Sequence, residues 1–219
     1  DWDYADRALG MLDAIETIKA ENVREESPLY GSIDTTRFSV SGHSTSGGGA
    51  HTAAIMDPTI KSAILLNSAM AVLDSLNCPG VSNGMGDTSF YCLLEQHLNH
   101  EVPTLVFAGE NEYNELVTPD DSTYGGMWAL VQYDYIPETT DKVYFESANQ
   151  GHSSAAYPNG EVADYALSWL KYYSSNLDSY CDSLVSEPIS TSQFFTTIDC
   201  NNSTLIFDIN DDGLVDDTD

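Results

Sequence analysis

Three side chains along this sequence have the types and the order needed for nucleophilic attack on a carbonyl carbon. Ser44, Glu112 and His152 each follow a short apolar run, and parallel strands bring such ends to one edge of a sheet. A serine hydroxyl attacks well only when a base removes its proton and an acid orients that base. We therefore predict a Ser44, Glu112 and His152 triad, with Glu110 on the same loop as the rival acid.

The predicted nucleophile lies in a segment typical of a strand-turn-helix elbow. Residues 37–40 form a predicted strand, and residues 50–56 can form a helix after the turn. The elbow pattern is G-x-S-x-G, and Ser46 occupies its last position here. Because serine is small and three glycines follow, we expect the turn to accommodate Ser46 with slight strain. The alternative register makes Ser46 the nucleophile and puts Ser44 where the first glycine belongs.

The residues around the predicted nucleophile are candidates for lesser roles. Thr45 is expected to donate its backbone N–H to the oxyanion that forms during attack. His43 is expected to line the substrate cleft with its side chain turned from the bond-making direction. His51 is interpreted as a packed or exposed histidine, and His97 and His100 have no predicted strand before them.

Apolar runs that alternate with helical stripes predict an α/β fold with a mostly parallel sheet. The predicted elements are helices at residues 4–20 and 162–173 and strands at residues 37–40, 62–66, 104–108 and 142–145. Residues 1–204 are predicted to form one domain with a Gly- and Asn-rich insert at about residues 72–101, and residues 205–219 an acidic tail.

The composition is strongly acidic because basic residues are scarce. The formal net charge is −28, with 7 Lys and Arg against 35 Asp and Glu. Such a surface repels nucleic acid and anionic lipid, so neither is an expected partner. No apolar run is long enough to span a membrane. The acidity suits a saline, calcium-rich or secreted setting, and simple solubility is the alternative.

The cysteines fall into two pairs that are close in sequence. Pairing between neighbours would give Cys78–Cys92 and Cys181–Cys200, and free buried thiols are the alternative. An even number of cysteines fits an oxidising compartment.

The C-terminal tail has the spacing of a calcium-binding loop. It matches the pattern D-x-[DN]-x-[DN]-G, in which the side chains at alternate positions direct their oxygen atoms to one ion. The candidate ligands of a structural calcium are Asp208, Asn210, Asp212, Leu214 through its carbonyl, Asp216 and Asp219. Asp at the last position resembles dockerin repeats, which makes a scaffold protein one expected partner. A disordered acidic tail is the alternative.

Residues 27–44 resemble the stretch before the nucleophile in bacterial cutinases and PET-degrading polyester hydrolases, which are dienelactone-hydrolase-like α/β-hydrolases. They read Ser-Pro-Leu-Tyr-Gly-Ser-Ile-Asp-Thr-Thr-Arg and run into Gly42-His43-Ser44. Residues 104–112, 151–153 and 169–171 and the Cys181–Cys200 pair are similar to later parts of that family, so the resemblance covers about residues 5–200. It implies an α/β-hydrolase fold and a secreted serine esterase that needs no cofactor and cleaves esters or polyesters through an acyl-enzyme.

The resemblance carries over to single residues. Ser44 matches the nucleophile, Glu112 the acid, which is usually Asp there, and His152 the base. Thr45 takes the place of the methionine whose N–H completes the oxyanion hole, and His43 matches the cutinases.

The sequence also departs from the family. Gly109 and Ser154 stand where some PET hydrolases carry an extra disulfide, and no tryptophan lies near Ser68 and Ala69, where the family often stacks substrate. The strands that precede the first helix in the family are not in this sequence, so we expect the fold to need a further N-terminal segment. The alternatives to a polyester hydrolase are a lipase, a carbohydrate acetyl esterase and a non-catalytic module bound to a scaffold.

Overall fold

The computed structural model describes residues 4–69, 71–73, 92–94, 98–112 and 128–201. Within them one sheet has five strands, which are β1 (Ser39–His43), β2 (Ser62–Leu66), β5 (Thr104–Gly109), β6 (Lys142–Ser147) and β7 (Thr191–Thr196). They lie side by side in the order β1-β2-β5-β6-β7. The first four strands are parallel, and β7 pairs antiparallel with β6. The predicted α/β fold with a mostly parallel sheet is confirmed.

Helices cover both faces of this sheet. They are α1 (Tyr4–Val23), α2 (Thr45–Met56), α3 (Trp128–Tyr135), α4 (Gly160–Tyr173) and α5 (Cys181–Val185). Strand β5 shows why helices are needed on both faces of the sheet. All its residues are buried, and successive side chains point to opposite faces. Val106 belongs to the apolar cluster under α1, α2 and α3, whereas Leu105 and Phe107 belong to the cluster under α4 and α5.

The observed boundaries differ modestly from the predicted ones. The helix predicted at residues 4–20 continues to Val23, and the strand predicted at residues 37–40 runs from Ser39 to His43. Strand β7 was not predicted, because its residues Thr191–Thr196 are mostly polar and carry a weak strand signal.

Two short strands belong to the insert at residues 72–101. Strands β3 (Ala71–Leu73) and β4 (Cys92–Leu94) pair in parallel and form a separate two-stranded sheet. Cys78 of the predicted Cys78–Cys92 disulfide and the calcium-loop residues Asp208 to Asp219 lie outside the described residues, so the disulfide and the calcium loop stay predictions.

A disulfide joins the last elements of the domain. Cys181 and Cys200 are bonded, with their Cα atoms 5.8 Å apart. Cys181 is buried in the cluster under α4, so the bond ties the segment after β7 to α5. In the parts of the chain with described structure, no helix is long and apolar enough to cross a membrane.

Candidate active site

The turn between β1 and α2 holds Ser44 in an unusual backbone conformation. Its φ is 57° and its ψ is −124°, a region that non-glycine residues rarely adopt. The Ser44 N–H donates to the Leu66 carbonyl at 3.0 Å, and the Ser44 carbonyl accepts from the Ala69 N–H at 3.0 Å. The Gly47 N–H also donates to the Ser44 carbonyl, at 2.9 Å. These bonds hold the strained turn and project the Ser44 hydroxyl from the sheet edge.

Close packing in the elbow explains where glycine is required. A Cβ on Gly42 would lie 2.0 Å from the Ser46 carbonyl oxygen, and one on Gly47 would lie 2.9 Å from the Ser68 Cα. Glycine is therefore required at Gly42 and at Gly47, and the Ser46 carbonyl takes part in the first of these close approaches. The turn forms with serine at the last position of G-x-S-x-G, and the residue with the unusual backbone conformation is Ser44.

The Ser46 hydroxyl has a specific partner on α1. It accepts a hydrogen bond of 2.9 Å from the Arg7 guanidinium Nη1. The same arginine packs against α2, since a Cβ built on Gly49 would lie 2.6 Å from the Arg7 Cβ. Ser46 is thus a contact between the elbow and α1.

Ser44, His152 and Glu112 form a continuous chain of hydrogen bonds. Ser44 Oγ lies 2.8 Å from His152 Nε2, and His152 Nδ1 lies 2.6 Å from Glu112 Oε1. A carboxylate only accepts, so His152 Nδ1 carries the proton and Nε2 is left to accept from the serine hydroxyl. The His152 side chain is 36% exposed and that of Glu112 3%, so the chain opens to solvent at its serine end.

The rival residues lie elsewhere. Glu110 Oε2 accepts from the Asn149 backbone N–H at 2.6 Å, so it contacts the backbone of the histidine loop. Ser46 Oγ is engaged by Arg7. The geometry favours Glu112 over Glu110 and Ser44 over Ser46 for the predicted roles.

His43 contacts the histidine loop. Its Nε2–H donates to the His152 backbone carbonyl at 2.9 Å, and the two imidazole rings lie 5.1 Å apart. His43 is therefore turned to the loop that carries the predicted base. Thr45 is the first residue of α2, where backbone N–H groups have no acceptor within their own helix.

Sequence reasoning missed Asn67, which lies directly after β2. Its side-chain amide donates to Glu112 Oε2 at 2.8 Å and to Ser154 Oγ at 2.9 Å. Asn67 is fully buried with φ 47°. The available signal was its placement, since it is a polar residue after a buried strand at the edge that carries Ser44 and Glu112.

A buried polar network lies along the other side of α2. His51 Nδ1–H donates to Gln132 Oε1 at 3.1 Å, and the two Nε2 atoms of His51 and His100 lie 3.0 Å apart. The Ser68 hydroxyl donates to the same Gln132 oxygen at 3.1 Å. His51 is thus a packed histidine, and His100 is its partner. Among the described residues, no group of three His, Cys, Asp or Glu side chains could hold a metal ion.

Burial keeps both histidines of this network neutral. Desolvation, helped by the neighbouring His100, lowers the pKa of His51 to about 3, and desolvation lowers the pKa of His100 to about 4. In an unfolded chain both groups would have an ordinary pKa near 6.5. Unfolding therefore takes up protons below pH ~6.5, and the folded state loses stability as the pH falls from there toward ~4.

We predict that replacing the two buried histidines flattens the acid loss of stability. Each should contribute up to about 1.4 kcal/mol of unfolding free energy per pH unit in that window. Denaturant unfolding between pH ~6.5 and ~5, above the range of most carboxylates, should show a smaller slope for His51→Gln/His100→Gln than for the unaltered protein. The His43→Gln control keeps both buried histidines and should keep the slope. Equal slopes in all three proteins would contradict the prediction.

We also predict that the hydrogen bond between Arg7 and Ser46 stabilises the fold. Ser46→Ala removes only the hydroxyl, and Arg7→Met keeps most of the packing against Gly49. A hydrogen bond to a charged group contributes about 1.5–3 kcal/mol, so the double-mutant cycle should show a coupling of at least about 1 kcal/mol in unfolding free energy. Additive effects of the two substitutions would show that the contact does not stabilise the elbow.

Comparison with known proteins gives matches to a PET hydrolase-like family, to a terephthalate ester hydrolase and to cutinases. The family described as "PETase: PET hydrolase-like" matches residues 3–76. A bis(hydroxyethyl) terephthalate hydrolase of Streptomyces coelicolor is 30% identical over 147 residues, which are 67% of this chain and 38% of that protein. Cutinase est1 of Thermobifida alba is 26% identical, over 74% of this chain and 43% of its own length. Cutinase 1 of Thermobifida cellulosilytica is 25% identical, over 75% of this chain and 52% of its own length.

The chain thus spans between 38% and 52% of the length of these curated relatives. The matched family segment contains β1, the elbow and the whole of α2 and β2, which are the elements that hold Ser44. With the mostly parallel sheet, these matches confirm the resemblance seen in the sequence: the chain is an α/β-hydrolase related to the bacterial cutinases and PET hydrolases.

Proposed function

We propose that this chain carries the active site of a secreted serine carboxylic-ester hydrolase of the cutinase and polyester-hydrolase type. The observation that carries the proposal is the hydrogen-bonded series Ser44, His152 and Glu112 at a strained elbow. This arrangement activates a serine hydroxyl for attack on an ester. The relatives named as cutinases and as a terephthalate ester hydrolase support ester cleavage as the reaction.

In the proposed reaction Ser44 Oγ attacks the ester carbonyl while His152 Nε2 takes the hydroxyl proton. Glu112 holds the imidazole through Nδ1 and stabilises the cation that forms. The Thr45 N–H stabilises the negative oxygen of the tetrahedral intermediate. His152 returns the proton to the departing alcohol, and water then cleaves the acyl-enzyme by the same steps. No metal or cofactor has a role in this sequence of steps.

The substrate class follows from the surroundings of the site. Ser68 and Ala69, where the resemblance predicts an aromatic side chain, are both small and buried. This favours short or flexible esters over stacked aromatic polymer. A net charge of −28 suits neutral esters and repels the carboxylate product. The Cys181–Cys200 disulfide supports an oxidising, extracellular location.

We predict that Ser44→Ala abolishes hydrolysis of p-nitrophenyl butyrate by the full-length protein. The loss should be at least about a thousandfold in kcat/KM, because the nucleophile itself is removed. Labelling by a fluorophosphonate probe should disappear with the same substitution. Ser46→Ala is the matched control, since it removes a hydroxyl two residues away and should retain both labelling and turnover. An inactive Ser46→Ala variant together with an active Ser44→Ala variant would show that Ser46, and not Ser44, is the nucleophile.

A panel of esters separates the proposed function from its rivals. We expect bis(hydroxyethyl) terephthalate and short p-nitrophenyl esters to be cleaved faster than long-chain triglyceride or acetylated sugar. Preference for triglyceride would indicate a lipase, and preference for acetylated sugar a carbohydrate esterase. A protein that neither turns over any ester nor reacts with the fluorophosphonate would be a non-catalytic module.

A further inference from the structure

Asn67 occupies the centre of the functional edge of the sheet. Strand β2 lies between β1, which leads to Ser44, and β5, which leads to Glu112, and Asn67 is the first residue after β2. Its φ of 47° is in the left-handed region, where Asn is tolerated better than most residues. Its backbone N–H donates to the Phe107 carbonyl at 2.9 Å, which anchors this turn to β5.

The orientation of the Asn67 amide is set by its contacts. Its Oδ1 accepts from the Ala155 backbone N–H at 2.8 Å, and a backbone N–H only donates. The amide nitrogen must then face the opposite way, where its two hydrogens reach Glu112 Oε2 and Ser154 Oγ. Every polar group of this buried side chain is paired.

These contacts join the acid to the loop that carries His152. Glu112 Oε2 accepts from Asn67 Nδ2 and, at 2.9 Å, from the Gly109 N–H, while Oε1 faces His152. Ala155, held by Asn67 Oδ1, lies three residues after His152. One side chain therefore fixes the carboxylate and the histidine loop relative to each other. The acid is a glutamate, which has one more rotatable bond than aspartate, so a second anchor on its far oxygen restricts it most.

We propose that Asn67 is a positioning residue for the Ser44, His152 and Glu112 series, acting through Glu112 and through the histidine loop. The inference rests on the proposed function, since it assigns these residues to one reaction. Removal of the Asn67 amide frees Oε2 from one of its two donors and lets the carboxylate turn away from His152 Nδ1. A misplacement of this kind costs a reaction up to about a hundredfold.

The variants must separate the effect of losing the Asn67 amide from the effect of disturbing the backbone conformation of this residue. Asn67→Gly removes the side chain and keeps a positive φ without strain. Asn67→Asp keeps the shape and the acceptor for Ala155 but puts a second carboxylate against Glu112, where like charges repel. Ser154→Ala is the matched control, because it removes another partner of the same amide and leaves the bond to Glu112.

We expect Asn67→Gly to lower kcat on p-nitrophenyl butyrate about 10- to 100-fold with little change in KM, and Asn67→Asp to lower it further. Ser154→Ala should stay within about threefold of the unaltered protein, since Asn67 then keeps both its bond to Glu112 and its bond to the Ala155 N–H. In a Glu112→Ala background Asn67→Gly should lose most of its effect on kcat, because only its contacts with the histidine loop are then left to act through. Normal kcat in both Asn67 variants would overturn the inference.

A second measurement does not depend on turnover. The proton on His152 Nδ1 that is shared with Glu112 should give a downfield proton NMR resonance, assigned by its loss in Glu112→Ala. It should weaken or move upfield in Asn67→Gly and Asn67→Asp and persist in Ser154→Ala. An unchanged resonance in both Asn67 variants would overturn the positioning role even if the protein cleaved no ester. Absence of ester turnover with an altered resonance would instead reject the proposed function alone.

Discussion

The strained backbone of Ser44 is the constraint on which the rest of the site depends. A φ of 57° and ψ of −124° persists only where neighbouring structure holds it. That support comes from the segment at the end of β2, since the Leu66 carbonyl and the Ala69 N–H bond the two backbone groups of Ser44. Gly42 and Gly47 permit the close packing that brings these groups together. The nucleophile position is therefore a property of the β1–β2 pair as much as of the elbow sequence.

The segment after β2 links the other elements of the site as well. Asn67 reaches Glu112 after β5 and Ala155 beyond the histidine, and Ser68 reaches Gln132 on α3. Since β2 is flanked by β1 and β5, a shift of its end would move the nucleophile and the acid together. This explains why polar side chains are buried there in place of apolar ones.

Much of the sheet and the predicted triad could be derived from the sequence, because each residue follows a buried apolar strand. Ser44, Glu112 and His152 follow β1, the end of β5 and the end of β6 in that order. The role of Asn67 could not be derived from the sequence, because it depends on which way the side-chain amide of Asn67 points. The partnership of Ser46 with Arg7 depends on helix packing, which a linear pattern does not contain. Strand β7 was missed because an antiparallel edge strand needs few apolar residues.

Helix α2 connects the chemistry of the site to the stability of the fold. It carries Thr45 at its first turn and is built mainly from small buried residues, so it packs closely against its neighbours. Polar contacts also hold it: Arg7 bonds Ser46 at one end, and His51 pairs with Gln132 and His100 further along. Protonation of His51 would place an uncompensated charge in this buried surface. Acid that loosens the helix would therefore also displace the N–H group proposed to stabilise the oxyanion.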